Sequence, residues 1–447
     1  MKTLDKAYYI IIPLLVVGIS MGYTTFPVAL LALLPLLFSV NRHTLGLFLL
    51  MFGGPLGGIV RTIYPFIPVY GLILQIFGLI LLRDLVQDLC VKQNSKLLNI
   101  LLVLLFFGFF YLIGPRVGHA YQKYMNMCFH GILLLFGYYA LDSSKKIEAE
   151  KLTRILMITS ICMFTYVISI IHMSPGGLLN YNWFREQFSI YAIEYAGSHS
   201  LIIDYQHIGM QILFSVVIFL SQIELNKTRL FFYVICALEL VLMSGCRQAI
   251  LGLILALVLR LILFRYDKIQ EGNVARKIVW ISCSLIIAYF LIGFVSINLG
   301  SAATARTFEG GDLGRELLWM AAIDVFESSP LFGAGIGGFF AITGEAYPHN
   351  FVLELLAETG IVGLLFSVML FAVLLRKKGN GVFHLTASSL FYYLILLGLF
   401  VRIMVSSDLS ESIGLYSAVI AIAASRKKID NTIGDKVITS TQKSVMV

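Results

Sequence analysis

Two kinds of residue in the C-terminal half of the sequence have the chemistry to act on an anionic substrate. Arg247 and Arg315 carry guanidinium groups, which bind phosphate through paired hydrogen bonds and stay charged when partly buried. His349 lies directly before Asn350 and the apolar run 351–375. The positive end of a helix there disfavours imidazolium, and a neutral imidazole is a general base near neutral pH. The alternative is a structural histidine, hydrogen-bonded at a helix start.

The composition requires that these residues be held by a membrane protein. Of the 447 residues, 59% are hydrophobic and only 13% are charged, whereas an ordinary soluble domain has about 25% charged residues. The net charge of +8 is spread over short loops rather than gathered in a patch, which excludes a nucleic-acid-binding surface. The six cysteines form no CxxC pair and have no metal-ligand spacing. We therefore expect neither a disulfide framework nor a metal site.

Apolar runs long enough to cross a bilayer follow one another along the chain. We count about fourteen, and because several are short the number could be twelve. They are residues 8–22, 25–40, 44–60, 64–82, 97–113, 124–141, 155–171, 203–220, 230–243, 249–264, 278–297, 351–375, 385–401 and 409–424. The prediction is an all-α polytopic protein with one transmembrane domain, residues 1–425, and a disordered cytoplasmic tail, residues 426–447.

The basic residues predict how these spans are oriented. With both termini in the cytoplasm, most of the 33 lysines and arginines fall on the cytoplasmic side, which is the positive-inside pattern. Eight fall outside: Arg61, Arg116, Lys123, Arg185, Arg247, Arg306, Arg315 and Arg402. Since seven of the eight are arginine, we expect an anionic ligand at the outer face. The alternative is that each pairs with a carboxylate or a lipid headgroup.

Two long connections, residues 173–202 and 298–350, also fall outside, and connections of this length are usually functional or disordered. The second contains a helical pattern over residues 314–326, with Trp319 and charged residues off its apolar face, which is typical of a helix lying along the membrane interface. A formal GxGxxG follows at residues 333–338. It lacks the flanking strand and helix of a dinucleotide site, so we interpret its glycines as permitting tight turns against neighbouring helices.

Three stretches between Met243 and Gly363 resemble the O-antigen ligase and O-antigen polymerase superfamily of bacterial membrane glycosyltransferases. Residues 244–247 (SGCR) are similar to its SGSRG-type turn, although Cys246 and Gln248 depart from the usual small residues. Residues 314–319 (GRELLW) resemble its GRxxxW helix, and the run 330–335 (PLFGAG) follows. His349-Asn350, nine further residues and then residues 360–363 (GIVG) resemble its HN-x9-GxxG signature.

The resemblance implies a GT-C-type helical fold and an inverting glycosyltransferase at the periplasmic face of the bacterial inner membrane. Its donor would be a glycan on undecaprenyl diphosphate, and no cofactor or metal would be required. His349 would act as the general base, while Arg247 and Arg315 would bind the diphosphate and stabilise it as it leaves. The weaker candidates for substrate binding are Arg306, Arg185, Asn350 and Trp319.

The resemblance favours lipid A-core as the acceptor, which makes an O-antigen ligase the first prediction. The alternative is an O-antigen or capsule polymerase that joins lipid-linked repeats. From another class, a flippase for lipid-linked oligosaccharides would also need many spans and cationic residues. Transporters often have internal repeats and charges near the bilayer midplane. No repeat is visible here, and the exceptional arginines fall at one face.

Overall fold

The computed structural model describes most of the chain as helices joined by short connections. The described residues are 2–21, 26–63, 70–92, 94–142, 146–171, 205–222, 226–244, 246–268, 313–375, 387–405 and 408–421. No strand occurs within these ranges. The all-α prediction is therefore confirmed for the part of the chain that is described.

The described helices follow the predicted spans closely. In chain order they are α1 (Lys2–Ser20), α2 (Phe26–Ser39), α3 (Arg42–Ile63), α4 (Tyr70–Leu81), α5 (Arg83–Lys92), α6 (Asn94–Ile113), α7 (Gly118–Asp142), α8 (Ala149–Ile171), α9 (Tyr205–Leu220), α10 (Lys227–Ser244), α11 (Arg247–Lys268), α12 (Leu313–Ser328), α13 (Gly338–Thr343), α14 (Phe351–Leu375), α15 (Ala387–Val405) and α16 (Leu409–Ala421). Helices occupy thirteen of the fourteen predicted spans, while span 278–297, the connection 173–202 and the tail 426–447 lie outside the described residues.

Three of the described helices are long and apolar enough to cross a membrane on their own. They are residues Asn94–Ile113, Gly118–Leu141 and Phe351–Leu374, which belong to α6, α7 and α14. Shorter apolar helices of 10–17 residues accompany them. Together they give the described part of the chain the all-α, polytopic character of a membrane protein, as predicted.

The chain divides into two compact units. The first unit comprises Met1–Leu82, Ser144–Leu317 and Gly381–Ser406, and the second comprises Arg83–Ser143, Leu318–Asn380 and Ser407–Val447. All three of the long apolar helices belong to the second unit. Helix α12 begins in the first unit and continues into the second.

In the first unit, α9 is the central helix, since it packs against α8, α10, α11 and α15. The Gln211 amide on α9 donates hydrogen bonds to the Ser160 hydroxyl, 3.1 Å away, and to the Leu156 carbonyl on α8. At the start of α8, Arg154 pairs with Asp5 on α1 at 3.0 Å and with Glu150 at 3.1 Å. This unit is thus held by apolar packing, by a few buried polar contacts and by ion pairs at one end.

In the second unit, α6 and α7 form an antiparallel pair that α14 and α16 join. The rings of Phe106 on α6 and Phe366 on α14 stack with centroids 3.7 Å apart. On α16, the Ser417 hydroxyl donates to the Gly131 carbonyl of α7 at 2.8 Å. A small apolar core links α12, α13 and the start of α14 through Ala322, Val325, Phe339 and Ala357. The N-terminal part of α14, which follows His349, therefore packs against α12 and α13.

Candidate functional site

The His349-Asn350 pair forms the start of α14, as the sequence predicts. The Asn350 side-chain oxygen accepts hydrogen bonds from the backbone N–H groups of Val352 at 3.0 Å and Leu353 at 3.2 Å, which is how an N-cap residue satisfies the free donors of a first turn. His349 adopts φ 56, a left-handed conformation that is uncommon outside glycine and clusters at functional sites. His349 is half-buried, and the centroid of its imidazole ring lies 4.5 Å from the centroid of the Tyr347 ring. This backbone strain adds weight to a functional role for His349.

The glycine-rich run before α13 is a turn fitted against α6. Gly335 has φ 80, and a Cβ there would collide with the backbone of Gly114 at the end of α6. The next residue, Ile336, donates its N–H to the Phe110 carbonyl at 3.1 Å. Only glycine combines this conformation with so close an approach, so the interpretation of these glycines as turn formers is confirmed.

The first glycine of the HN-x9-GxxG signature marks a break in α14. Gly360 has φ 62 and ψ −163, which frees the N–H groups of Ile361 and Val362 from the helical pattern. They donate instead to the carbonyls of Pro330 at 2.9 Å and Leu331 at 3.2 Å. The signature therefore encodes a backbone junction between α14 and the glycine-rich turn.

A buried charge cluster, which we did not predict, lies beneath this junction. Lys123 on α7 pairs with both Glu354 and Glu358 on α14, the second at 2.9 Å. The Lys123 side chain is 1% exposed and the two glutamates are 0% exposed. The Glu358 carboxylate also accepts a hydrogen bond from the Gly337 N–H at 3.1 Å. We call these three side chains the Lys–Glu–Glu cluster.

The sequence did carry a signal for this cluster. Glu354 and Glu358 are four residues apart in an otherwise apolar span, so they share one helix face. Ionisable residues inside a span are rare, and they usually face partners in the protein interior. Lys123 belongs to the exceptional outer cations, and for it the alternative interpretation, pairing with a carboxylate, is correct.

Helix α12 has the sequence of the predicted interfacial helix and carries two candidate residues. Ala322 and Val325 are buried on one side, while Leu317, Met320 and Trp319 are exposed by 65%, 62% and 38%. Arg315 is half-buried and makes no ion pair with any residue that the structure describes. The helix itself is confirmed; its place at a membrane interface stays a prediction.

Arg247 is the first residue of α11, directly after the short turn that the sequence predicts. Within this turn the Ser244 hydroxyl accepts the Cys246 N–H at 3.2 Å. Cys246 is buried, and a Cβ at Gly209 of α9 would collide with its side chain. The cysteine that departs from the family's turn is therefore used in packing.

The candidate residues divide between the two compact units. His349, Asn350 and Trp319 belong to the second unit, whereas Arg247 and Arg315 belong to the first. Arg306 and Arg185 lie outside the described residues. Within the described ranges, no group of three or more His, Cys, Asp or Glu side chains is arranged to hold a metal ion.

Fold and site together define a polytopic helical membrane protein with a strained histidine at the start of one spanning helix. Residues 232–368 match a family model described as O-antigen ligase. Residues 232–368 are therefore similar to the O-antigen ligase family, and the resemblance drawn from the motifs is confirmed. This similarity indicates a membrane glycosyltransferase of the ligase or polymerase type. No curated protein matches the chain.

Proposed function

We propose that this protein is an inverting glycosyltransferase that transfers a glycan from undecaprenyl diphosphate to a sugar hydroxyl of lipid A-core. One observation carries the proposal: within the O-antigen ligase domain, His349 is held in a left-handed backbone conformation at the capped start of α14. A half-buried histidine with a strained backbone, beside a helix N-terminus, is suited to proton abstraction. Joining of lipid-linked repeats, as in a polymerase, remains the second candidate because the same domain serves both.

The proposed reaction is a single displacement at the anomeric carbon. The acceptor oxygen forms a bond to that carbon while the bond to the diphosphate oxygen breaks, so the configuration inverts. His349 takes the proton of the acceptor hydroxyl. The electron pair of the broken bond leaves with the diphosphate, where negative charge develops.

Arg247 and Arg315 are proposed to stabilise this leaving group. Two unit charges about 4 Å apart interact by roughly 4 kcal/mol at an effective dielectric constant of 20. Preorganised cations aimed at developing charge are among the largest contributions to catalysis. The half-buried Arg315, which has no protein carboxylate among the described residues, fits this role.

The charge pattern supports a site on the periplasmic side of the inner membrane. Both candidate arginines and His349 fall on the outer side of the predicted topology. Lys123 and Glu354 lie near the starts of α7 and α14 and contact each other, so these two helices begin on the same side of the second unit. The predicted topology has this arrangement, with both helices beginning outside.

Reconstitution tests the proposal directly. The full chain would be placed in vesicles with an undecaprenyl-diphosphate-linked repeat, with and without lipid A-core, and the products separated on a gel. A glycan-bearing lipid A-core band, formed only in the sample that contains lipid A-core, supports the ligase. A ladder without lipid A-core would establish the polymerase instead, and lipid movement across the bilayer without a product would establish a flippase.

His349→Gln tests the base within the same assay. The amide cannot accept the proton, so we expect transfer to fall by about 100-fold or more. Binding of the lipid-linked donor should change little, because the imidazole acts on the acceptor. Full transfer by this variant would refute the assigned base.

A further inference from the structure

Glu358 joins three separate parts of the second unit through one carboxylate oxygen. Its Oε1 accepts a hydrogen bond from the Lys123 ammonium of α7 at 2.9 Å and another from the Gly337 N–H of the glycine-rich turn at 3.1 Å. Glu358 itself belongs to α14, two residues before the break at Gly360. A shift of any of these three parts would break a buried hydrogen bond, which is costly.

Glu354 extends this connection to the start of α14. Its carboxylate pairs with the same Lys123 ammonium, and its backbone N–H donates to the Asn350 carbonyl at 3.0 Å. Asn350 is the cap that follows His349. The ammonium on α7 is therefore connected, through one side chain and one helical turn, to the residue beside the histidine.

Stability is a poor explanation for the cluster. One ammonium and two carboxylates have a formal charge of −1, and they are wholly buried. The second oxygens of both glutamates make no hydrogen bond with the described residues. Nearby, Asp408 at the start of α16 is also close enough to Lys123 to interact electrostatically. Apolar side chains of similar volume usually stabilise a fold as well as a buried ion pair does, whereas they offer no acceptor for the buried Gly337 N–H, which Glu358 binds at 3.1 Å.

We propose that Glu358 and Lys123 are positioning residues for the transfer reaction: they hold the glycine-rich turn and the first turn of α14 in the register that places His349. This inference rests on the proposed function of His349. Neither residue needs to touch the substrate. Their effect should therefore appear in the catalytic step rather than in the binding of the donor.

Glu358→Leu and Glu358→Gln, made in the full chain, test this role. Leucine removes the acceptor for Gly337 yet leaves a charge-balanced Lys123–Glu354 pair, so the fold should survive. We expect kcat to fall by about 100-fold, the loss that a displacement of about 1 Å produces, with KM for the donor lipid nearly unchanged. Glutamine keeps an acceptor oxygen and should restore most of kcat.

A readout besides turnover separates positioning from instability. Modification of His349 by diethyl pyrocarbonate, followed by mass spectrometry, should change in rate in Glu358→Leu and match the wild-type rate in Glu358→Gln. Ser367→Ala is the matched control, because Ser367 makes a buried side-chain contact with Tyr416 at 2.6 Å on the same helix, beyond the break. It should lower the melting temperature without changing kcat or the rate of modification.

Three results would overturn the proposal. The first is wild-type kcat in a folded Glu358→Leu variant. The second is activity that falls only in proportion to the amount of folded protein, in Glu358→Leu and Ser367→Ala alike. If Glu358→Leu does not fold, a triple variant with leucine at Lys123, Glu354 and Glu358 takes its place. This variant removes every charge of the cluster and should fold. The third result that would overturn the proposal is wild-type kcat in this triple variant.

The same experiments separate this inference from the proposed function. Full transfer by His349→Gln would refute the base, whatever the Glu358 variants do. Full transfer by Glu358→Leu beside an inactive His349→Gln would refute only the positioning role.

Discussion

Lys123 and Arg315 belong to the same group in the sequence, the cations that the predicted topology leaves on the outer side, yet their surroundings differ. Lys123 is buried at the start of α7 between two carboxylates of α14. Arg315 is half-buried near the start of α12 and has no ion pair within the described residues. One cation already has its anions inside the protein, whereas the described residues supply no carboxylate to the other.

The positive charges on the predicted outer side therefore serve two different functions. Lys123 holds helices together, whereas Arg315 is a candidate for binding a phosphate. A lysine that is fully paired and inaccessible cannot bind a diphosphate, and its contacts with two helices suit it to hold them. An arginine that has no carboxylate partner among the described residues can offer its planar fork to a phosphate through paired hydrogen bonds. Variants of the two regions should therefore differ in kind. At α7 the loss of folded protein should accompany any loss of positioning, whereas at α12 catalysis should fall while the fold stays intact.

The largest effect is expected from Lys123→Met. The change leaves two buried carboxylates without their cation, and loss of one partner from a buried pair costs about 3–5 kcal/mol. We expect little folded protein in detergent, measured as a lower melting temperature and a smaller monodisperse fraction on gel filtration. Wild-type stability would mean that the cluster does not depend on its ammonium, and the contrast with Arg315 would fail.

Arg315→Lys should leave the fold intact and reduce catalysis. The ammonium keeps the charge but loses the planar fork, and removal of one oriented donor from a leaving-group site costs about 100- to 1,000-fold in kcat. We expect the same direction for Arg247→Lys. The effect is measured as the steady-state rate of transfer, using variant protein whose melting temperature matches the wild type. Arg229→Lys is the matched control, because Arg229 forms an exposed ion pair with Glu150 at 3.5 Å. Near-normal transfer by Arg315→Lys would remove the bidentate role.

Arg154→Met tests what determines the loss of stability when a buried, paired cation is removed: the pairing itself or the burial of its acidic partners. The Arg154 side chain is 3% exposed and pairs with two acids, as Lys123 does, but those acids are 34% and 41% exposed. Water can solvate them after the change, so we expect a loss of about 1–3 kcal/mol, smaller than for Lys123→Met, with kcat unaffected. A loss as large as that of Lys123→Met would show that solvent access to the acids does not matter.

The smallest effect is expected from removal of divalent cations. If arginines stabilise the leaving diphosphate, transfer in the presence of a chelator should stay at the untreated rate. The reconstituted assay measures this, with added Mg²⁺ as the control for recovery. Abolished transfer that Mg²⁺ restores would require a metal at the leaving group and would weaken the role given to Arg315.

Much of the fold follows from the sequence because long apolar runs specify helices with few alternatives. The span predicted over residues 351–375 coincides with α14, and the predicted interfacial helix lies within α12. The sequence also placed His349 at a helix start, because an Asn cap before an apolar run is a local signal. Local signals of this kind need no knowledge of distant residues.

The Lys–Glu–Glu cluster was missed because Lys123 is more than 200 residues away from either glutamate. Charge counting assigned Lys123 to a side of the membrane without assigning it a partner. The break at Gly360 was missed for a related reason: the carbonyls that replace its helical acceptors come from Pro330 and Leu331, and only tertiary packing selects them. Helix α5 was also missed, since its four charged residues over Arg83–Lys92 do not resemble a span.

The separation of Lys123 from Glu354 also has a consequence for how the chain is made. The two residues are 231 positions apart, which corresponds to roughly 10–50 s of synthesis at 5–20 residues per second. Through that interval α7 contains a lysine whose carboxylates have not yet been translated. Its long side chain, near the predicted outer end of the helix, can reach the headgroup region in the meantime. Any chain that ends before Glu354 leaves Lys123 in this state.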